Sequence, residues 1–242
     1  MENTAYLLVG RLTGAVLAAA TFAATGGAAW GQDAAKLAQM YHVISENQHY
    51  RVIGYHLKAG EKEPTHSHPN GVLVYWFTNA KMRTTLTDGR ISESMSKVGD
   101  VVWRDPVTHR GENVGSIEIH ELLFEPKTSC KVAAEKLPMP SEDATKLAPQ
   151  MYHVIFENDR YRAIDYHLGP GGKEPLHSHP NGVLVYWFSN ARMRTTLTDG
   201  RISESMSKAG DVVWRDPVTH RGENVGATEA HSLLVEPKSP CK

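Results

Sequence analysis

The chain has 242 residues and a formal net charge of −1 at pH 7, with 40% hydrophobic and 22% charged residues. This composition is typical of a soluble globular protein and excludes collagen-like, coiled-coil and disordered chains. The balanced charge gives no electrostatic reason to expect a nucleic-acid partner, and two cysteines cannot form a dense disulfide framework. We therefore expect hydrophobic burial to hold one large or two small domains together.

The first 31 residues differ in composition from the rest of the chain. Arg11 ends a short polar start, residues 12–24 are almost uninterruptedly apolar, and residues 29–31 offer small side chains for a cleavage site. The apolar run is rich in Ala and Gly and shorter than the ~20 strongly apolar residues of a membrane span. We predict a signal peptide over 1–31, a periplasmic or secreted mature protein and no stable membrane span after cleavage; a permanent membrane anchor is the alternative.

The rest of the chain contains an internal duplication with an offset of 111 residues. Residues 40–131 align with residues 151–242, and 73 of the 92 pairs are identical. A unit of this length exceeds the 20–50 residues of solenoid repeats and is a small domain in its own right. We predict one domain at 32–131, a proline-containing linker at 132–150 and a second domain at 151–242.

The mismatches between the two copies are unevenly distributed. Only three fall within the 50 pairs from His66/His177 to Gly115/Gly226, where an even distribution would place about ten. The residues that both copies require are therefore expected to lie within these 50 positions of each copy.

Each copy is predicted to be all-β. In the first copy the predicted strands are Tyr50–Leu57, Gly71–Phe77, Met82–Thr87, Arg90–Ser96, Val101–Trp103 and Ile117–Phe124. Asp88-Gly89, between two of these segments, is a strong hairpin signal. No segment of the repeats shows a long helical period. Short strands separated by Gly, Pro and Asn predict an antiparallel sandwich or barrel.

Histidines supply the candidate chemistry, since six of the matched pairs are His–His. His66 and His68 are two residues apart, so on a strand both project from one face and suit two ligands of one metal. A third histidine from another strand would complete a trigonal face, and neutral imidazole suits zinc, iron, copper or nickel better than magnesium or calcium. We predict one divalent transition metal per domain, held by His66, His68, His109, His177, His179 and His220.

The spacing around these histidines resembles the two sequence motifs of the cupin superfamily. Gly60 with His66-Ser67-His68 is similar to the first motif. The residues similar to the second motif are Gly99, Pro106, His109 and Asn113. The same matches recur in the second copy. The resemblance implies an exported bicupin made of two tandem jelly-roll β-barrels.

The first motif departs from the family pattern because its metal-ligating glutamate is missing. Val72 and Leu73 stand where that glutamate is expected, and Glu63 or Glu112 are candidates to replace it. Three neutral ligands leave the full +2 charge on a divalent ion, so water, hydroxide or an anionic substrate should take the open positions. This favours a dioxygenase-like or hydrolytic three-histidine cupin over a manganese bicupin of the oxalate-decarboxylase type.

Two functions remain open from the sequence. The first is a metal-dependent cupin that acts on a small polar, anionic metabolite. The alternative is a non-catalytic periplasmic bicupin that binds a small ligand or serves a structural role, because no general base is identifiable. Homo-oligomerisation is also left open, and no residue identifies the substrate.

Other polar residues receive more limited predictions. His42, His56 and His120 are expected to make structural or surface hydrogen bonds. Arg83 and Arg104 are candidates to neutralise a substrate carboxylate inside the barrel, with a solvated strand-face charge as the alternative. The aromatic residues expected to form core or pocket wall are Tyr75, Trp76 and Trp103.

The two cysteines occupy matched places, just after the last predicted strand of each copy. An exported protein can keep a disulfide between Cys130 and Cys241 if their Cα atoms lie within about 7 Å. A bridge and two free thiols are both compatible with the sequence.

Overall fold

The computed structural model describes residues 32–37, 39–127 and 142–239. The predicted signal peptide, residues 132–141 of the predicted linker and both cysteines lie outside the described residues. The described part is dominated by β-strands, which confirms the all-β prediction. None of the helices in these ranges is long and apolar enough to cross a membrane.

The first copy forms two facing sheets. Its strands are β1 (Gln32–Asp33), β2 (Tyr41–Glu46), β3 (Tyr50–Leu57), β4 (His66–His68), β5 (Val72–Trp76), β6 (Ala80–Leu86), β7 (Ile91–Ser96), β8 (Val101–Arg104), β9 (Val107–Asn113) and β10 (Ile119–Pro126). One sheet has the order β1-β4-β9-β6-β7 and the other β2-β3-β10-β5-β8. The chain crosses between the sheets repeatedly, as in a jelly roll.

The second copy repeats this topology. After a single helical turn, α1 (Ala144–Leu147), its strands are β11 (Tyr152–Glu157), β12 (Tyr161–Leu168), β13 (His177–His179), β14 (Val183–Trp187), β15 (Ala191–Leu197), β16 (Ile202–Ser207), β17 (Val212–Arg215), β18 (Val218–Asn224) and β19 (Ala230–Pro237). The sheet orders are β13-β18-β15-β16 and β11-β12-β19-β14-β17. Ala144 and Ala148 pack into the second barrel's core, so the last part of the predicted linker belongs to that barrel.

Strand β3 shows why some segments are apolar on both faces. Ile53, Tyr55 and Leu57 point into the core of the first barrel. Tyr50 and Val52, on the opposite face, belong to a second hydrophobic cluster that both barrels share. Since side chains alternate along a strand, a strand buried on both sides needs apolar residues at successive positions.

The two barrels pack together through residues that the duplication matches. The shared cluster contains five matched pairs, which are Tyr50/Tyr161, Val52/Ala163, Leu73/Leu184, Leu122/Leu233 and Phe124/Val235. The ring centroids of Trp103 and Tyr161 lie 5.0 Å apart, and those of Tyr50 and Trp214 also lie 5.0 Å apart. This reciprocity is that of a two-fold interface formed within one chain.

Three strands of the first copy, the two-residue β1 and the longer β2 and β9, were not predicted. Strand β2 is mostly solvent-exposed and includes Val43, which is 43% exposed. Strand β9 lacks an apolar run because its buried positions carry His109, Gly111 and Asn113. The buried Asn113 donates from Nδ2 to the carbonyls of Leu57 and Ile117, so this motif residue stabilises a loop.

Candidate metal centre

Pairing between β4 and β9 brings the candidate ligands of the first copy together. His66 lies opposite His109 in the antiparallel register, and His68 lies opposite Val107. His66 and His68 share the inner face because they are two residues apart. On the other face, the hydroxyls of Ser67 and Thr108 hydrogen-bond at 2.8 Å and secure the register.

The three histidines form a buried cluster in each barrel. His66, His68 and His109 are 0%, 2% and 6% exposed, and the Nε2 atoms of His66 and His68 lie 3.1 Å apart. One nitrogen from each ring lies within 4.8 Å of the others. The same Nε2–Nε2 distance, 3.1 Å, separates His177 from His179. The structure therefore brings together, in each copy, the three histidines that the sequence singled out.

Hydrogen bonds fix which nitrogen of each ring faces the cluster. His66 donates from Nδ1 to the carbonyl of Pro64 at 3.0 Å, and His68 donates from Nδ1 to the carboxylate of Glu125. A neutral imidazole that donates from Nδ1 has a lone pair on Nε2. Two lone pairs thus face each other at 3.1 Å with no proton between them. A cation relieves this repulsion, so the arrangement fits a metal ion.

His109 provides the third indication of a metal site. Both of its ring nitrogens are buried without a hydrogen-bond partner in the described part of the chain, and the same holds for His220. Burial and the neighbouring His66, His68 and Arg104 lower the pKa of His109 to about 2. A neutral, unpaired imidazole is costly to bury and is the form that transition metals bind.

A charged network behind the ligands was not predicted from the sequence. Glu125, which accepts from His68, also accepts from Arg51 Nε at 2.9 Å, and Arg51 pairs with Asp33 at 2.7 Å. Burial favours a raised pKa for Glu125, but the His68 hydrogen bond and the Arg51 charge outweigh it and hold that pKa below its ordinary value. The ionised carboxylate orients His68 and makes it a stronger ligand.

The second barrel repeats this network with different outer residues. Glu236 accepts from His179 at 2.5 Å and from Arg162, which pairs with Asp143 at 3.1 Å. Asp143 lies in the segment predicted to be linker. One sequence feature could have pointed to this network. A glutamate stands at the same place in a mostly apolar strand of each copy, Glu125 in β10 and Glu236 in β19.

The structure also locates the candidates for the missing glutamate. Glu63 Oε1 lies 4.0 Å from His66 Nδ1, the nitrogen that points away from the cluster. Glu112 pairs with Lys62 and Arg83 at the surface. Neither joins the described ligand cluster. A tyrosine hydroxyl comes closer, since Tyr41 Oη lies 3.1 Å from His66 Nε2 and donates to Glu63 at 2.5 Å.

The candidate arginines take different places. Arg83 pairs with Glu93 at 2.8 Å and its side chain is 39% exposed, which agrees with the solvated alternative. Arg104 lies close enough to His109 to act on its pKa. Its counterpart Arg215 lines a cavity in the second barrel together with that barrel's three histidines. Arg104 lines a cavity with His109 in the first barrel, so both arginines lie beside the clustered histidines.

Two pairs of the remaining histidines stack outside the barrel cores. The rings of His56 and His120 are 4.1 Å apart, and those of His167 and His231 are 4.0 Å apart. In the second copy Asp165 accepts from His231 through Oδ1 and faces His167 through Oδ2. Separate carboxylate oxygens serve the two rings, so hydrogen bonding alone accounts for this cluster.

The low pKa of His109 and His220 predicts acid sensitivity of the metal-free protein. Each takes up a proton at about pH 6.5 when unfolded but only at about pH 2 when folded. The stability that the folded protein gains from keeping these two histidines neutral is therefore fully present above pH 6.5 and is lost as the pH falls. We expect the free energy of unfolding to drop by about 1.4 kcal/mol per pH unit for each histidine below pH 6.5.

Urea unfolding in chelator at pH 7.0 and 5.0 measures this slope. The double variant His109→Leu/His220→Leu is the control, because it lacks both groups and should lose less stability over the same interval. An unchanged slope in the double variant would contradict the assignment.

The chain is similar to solved structures over most of its length. The oxalate decarboxylase of Lactobacillus farciminis, in its formate complex, matches with a TM-score of 0.56 and 15% identity over 83% of this chain and 80% of that chain. A single-residue variant of the Bacillus subtilis oxalate decarboxylase matches with a TM-score of 0.57 and 16% identity over 84% and 73%. No protein-family model and no curated protein matches the sequence. At these identities the likeness shows the fold.

Proposed function

We propose that this chain, which has the fold of a bicupin, is a metal-dependent cupin acting on a small anionic metabolite. The six histidines His66, His68, His109, His177, His179 and His220 would hold one divalent transition metal per barrel. The observation that carries the proposal is the convergence of buried imidazole lone pairs on one point, with both nitrogens of His109 unpaired.

The donor set indicates which chemistry is supported. A divalent ion bound there would act as a Lewis acid or, if it is iron, as an oxygen-activating centre. The clustered ligands are three neutral imidazoles, which supports a dioxygenase-like or hydrolytic reaction on an anion. The two solved structures named above are oxalate decarboxylases, so we choose a small dicarboxylate as the first probe.

The protein's own residues would bind and orient such an anion. Arg215 lines the cavity beside the metal ligands and supplies a fixed positive charge for a carboxylate. Apolar walls that include Val185 and Trp187 exclude water and strengthen that attraction. Tyr152 Oη lies 3.3 Å from His177 Nε2, where it can hydrogen-bond a group held at the site.

The test is a metal analysis of full-length protein made without a histidine tag. We expect close to two transition-metal ions per chain, and none in the double variant His109→Ala/His220→Ala. In the Co²⁺-loaded protein, azide should change the visible spectrum because it enters open metal positions. Wild-type protein without metal, or a spectrum that azide leaves unchanged, would contradict the proposal.

The non-catalytic alternative makes a different prediction. A bicupin that binds its ligand independently of metal should keep ligand-induced thermal stabilisation after the histidines are replaced. The metal-dependent function requires that stabilisation to disappear. Export through residues 1–31 remains part of the proposal and places the protein in the periplasm or outside the cell.

A further inference from the structure

A buried glutamate stands beside the histidine cluster in each barrel. In the second barrel, Glu174 is 8% exposed and lines the cavity together with His177 and Arg215. Tyr166 donates a hydrogen bond to Glu174 Oε1, whereas Glu174 Oε2 is buried without a hydrogen-bond partner in the described part of the chain. One oxygen of this carboxylate is therefore left to accept a hydrogen bond from a molecule in the cavity.

Two glycines make the room that these glutamates occupy. A Cβ atom added to Gly222 would lie 2.3 Å from Glu174 Oε2, and one added to Gly111 would lie 2.3 Å from Glu63 Oε1. Only glycine permits so close an approach to the backbone, and any other residue would push the carboxylate aside. The two matched pairs thus place a carboxylate at the same position in each barrel.

An arginine of opposite charge borders the second cavity without pairing with the glutamate. Arg215 makes no ion pair or hydrogen bond in the described part of the chain. Tyr166 lies near both charges, since burial and then Glu174 raise its pKa well above its ordinary value while Arg215 opposes the rise. The cavity wall includes Val185 and Trp187, so solvent screens these charges only weakly.

The first barrel repeats this pair of opposite charges. Arg104, the counterpart of Arg215, lines a cavity with His109 and makes no ion pair or hydrogen bond among the described residues. Glu63 is 4% exposed. Burial and then Glu63 raise the pKa of Tyr55, and Arg104 opposes them, so both charges lie near this tyrosine.

A further buried polar residue lies near the charges in each barrel. Ser232 lines the second cavity, and its Oγ has no hydrogen-bond partner among the described residues. Its counterpart Glu121 lies near Glu63 and Arg104, because burial raises the pKa of Glu121 to about 8, Arg104 opposes this rise and Glu63 adds to it. Serine and glutamate oxygens both accept hydrogen bonds, and an ammonium group has three donors to offer them.

A ligand with negative charge alone suits only half of such a site. Its carboxylate would bind Arg215, but the unpaired carboxylate of Glu174 would repel it. A buried carboxylate without a partner is costly, and a ligand that brings a positive group relieves that cost. A ligand with both a carboxylate and an ammonium group satisfies both residues.

We propose that the anionic substrate also carries an ammonium group, as an amino dicarboxylic acid does. Arg104 and Arg215 would bind its carboxylate, and Glu63 and Glu174 would bind its ammonium group. This inference deepens the proposed function and rests on it, because it concerns the ligand of the same two metal sites. Both barrels are expected to share the preference, since each has its own pair of charges.

Three dicarboxylates of equal length test the proposal. Succinate, malate and aspartate differ only at one carbon, which carries hydrogen, a hydroxyl or an ammonium group. Each is titrated by calorimetry into full-length Co²⁺-loaded protein whose cobalt content is measured first. We expect aspartate to bind about tenfold more tightly than succinate or better, with malate between them, because a charge-assisted hydrogen bond to a buried carboxylate is stronger than a neutral one.

Matched variants assign this preference to the buried glutamates. In Glu63→Gln/Glu174→Gln the amide keeps the size of the side chain and an acceptor for the tyrosine but loses the negative charge. Aspartate should then lose its advantage over succinate. Glu112→Gln/Glu223→Gln is the control, because it removes two glutamates that pair with Arg83 and Arg194 at the surface and should keep the wild-type preference.

The cobalt content separates this inference from the function it rests on. Fewer than two cobalt ions per wild-type chain would defeat the proposed metal sites. With two ions bound, the inference is overturned if wild type binds succinate as tightly as aspartate, if aspartate does not bind, or if the preference persists in Glu63→Gln/Glu174→Gln, as a purely structural role predicts. Should that variant fail to fold, the wild-type ligand series still decides, because it changes the ligand and not the protein.

Discussion

Replacing Glu125 with leucine is expected to weaken metal binding in the first barrel by about 10–100-fold, the usual effect of losing a partner that orients a ligand histidine. His68 would lose the acceptor for its Nδ1 proton, and Arg51 would lose one of its two carboxylates. Breaking a buried ion pair costs about 3–5 kcal/mol, and Asp33 should keep the loss near the lower limit. Competition with a chromophoric chelator and urea unfolding measure the two effects.

The second barrel provides the matched comparison for Glu125. In the equivalent pair the Arg162 side chain is 6% exposed, against 16% for Arg51. Glu236→Leu should therefore destabilise the protein more than Glu125→Leu, because it leaves a more deeply buried guanidinium. The double variant Arg51→Met/Glu125→Leu should recover part of the stability while metal binding stays weak. Equal metal affinity in wild type and Glu125→Leu would contradict the orienting role.

The ionised Glu125 also predicts the pH range in which the folded protein loses stability in acid. Because its pKa is lowered in the folded protein, its contribution to stability is complete above its unfolded pKa of about 4.5 and is lost as the pH falls further. This loss lies at lower pH than that from His109, which begins at pH 6.5. The decline in stability that begins at pH 6.5 should therefore become steeper below about pH 4.5, where the loss from Glu125 adds to the continuing loss from His109.

Replacing His109 with leucine is expected to remove the metal from the first barrel and yet to stabilise the metal-free protein. Both ring nitrogens of His109 are buried and unpaired, so the apo protein carries their desolvation cost. Relief of an unsatisfied buried polar group is worth about 1–3 kcal/mol, and leucine has a similar volume. Metal analysis and urea unfolding in chelator at pH 7 check the two parts.

His68 is the control that separates ligand loss from general damage to the core. His68→Leu should also remove the metal, but it leaves Oε1 of the buried Glu125 carboxylate without the His68 hydrogen bond and should destabilise the apo protein. A structural role for His109 predicts that His109→Leu destabilises the apo protein as well, which would contradict the metal-ligand assignment.

The sequence singled out the histidines that cluster in each barrel, because local geometry controls their placement. His66 and His68 share a face of β4 through strand alternation alone, and the second copy repeats the pattern. The all-β fold and the first strand boundaries, Tyr50–Leu57, follow from the same short-range patterns. The polar strand β9 was missed, since buried polar residues remove the apolar signal on which strand prediction depends.

The long-range partners could not be predicted. Glu125 meets His68 across 57 residues of chain, and Arg51 meets Glu125 across 74. The sequence marks Glu125 and Arg51 only as charges in otherwise apolar strands and does not show which residues they meet. Arg83 illustrates the converse, because a strand arginine that was a candidate for the interior pairs with surface glutamates.

By itself the sequence determined the duplication, the β-class of each copy and the histidines that share a face, because these depend on identity and on the two-residue period of a strand. Only the tertiary structure decided which carboxylates support those histidines and that Glu121 and Ser232 occupy matched interior places with different volumes. The physical reason is that sheet packing brings together residues that are distant along the chain. Which face of a strand points into a barrel core is settled only when both sheets and both barrels have assembled.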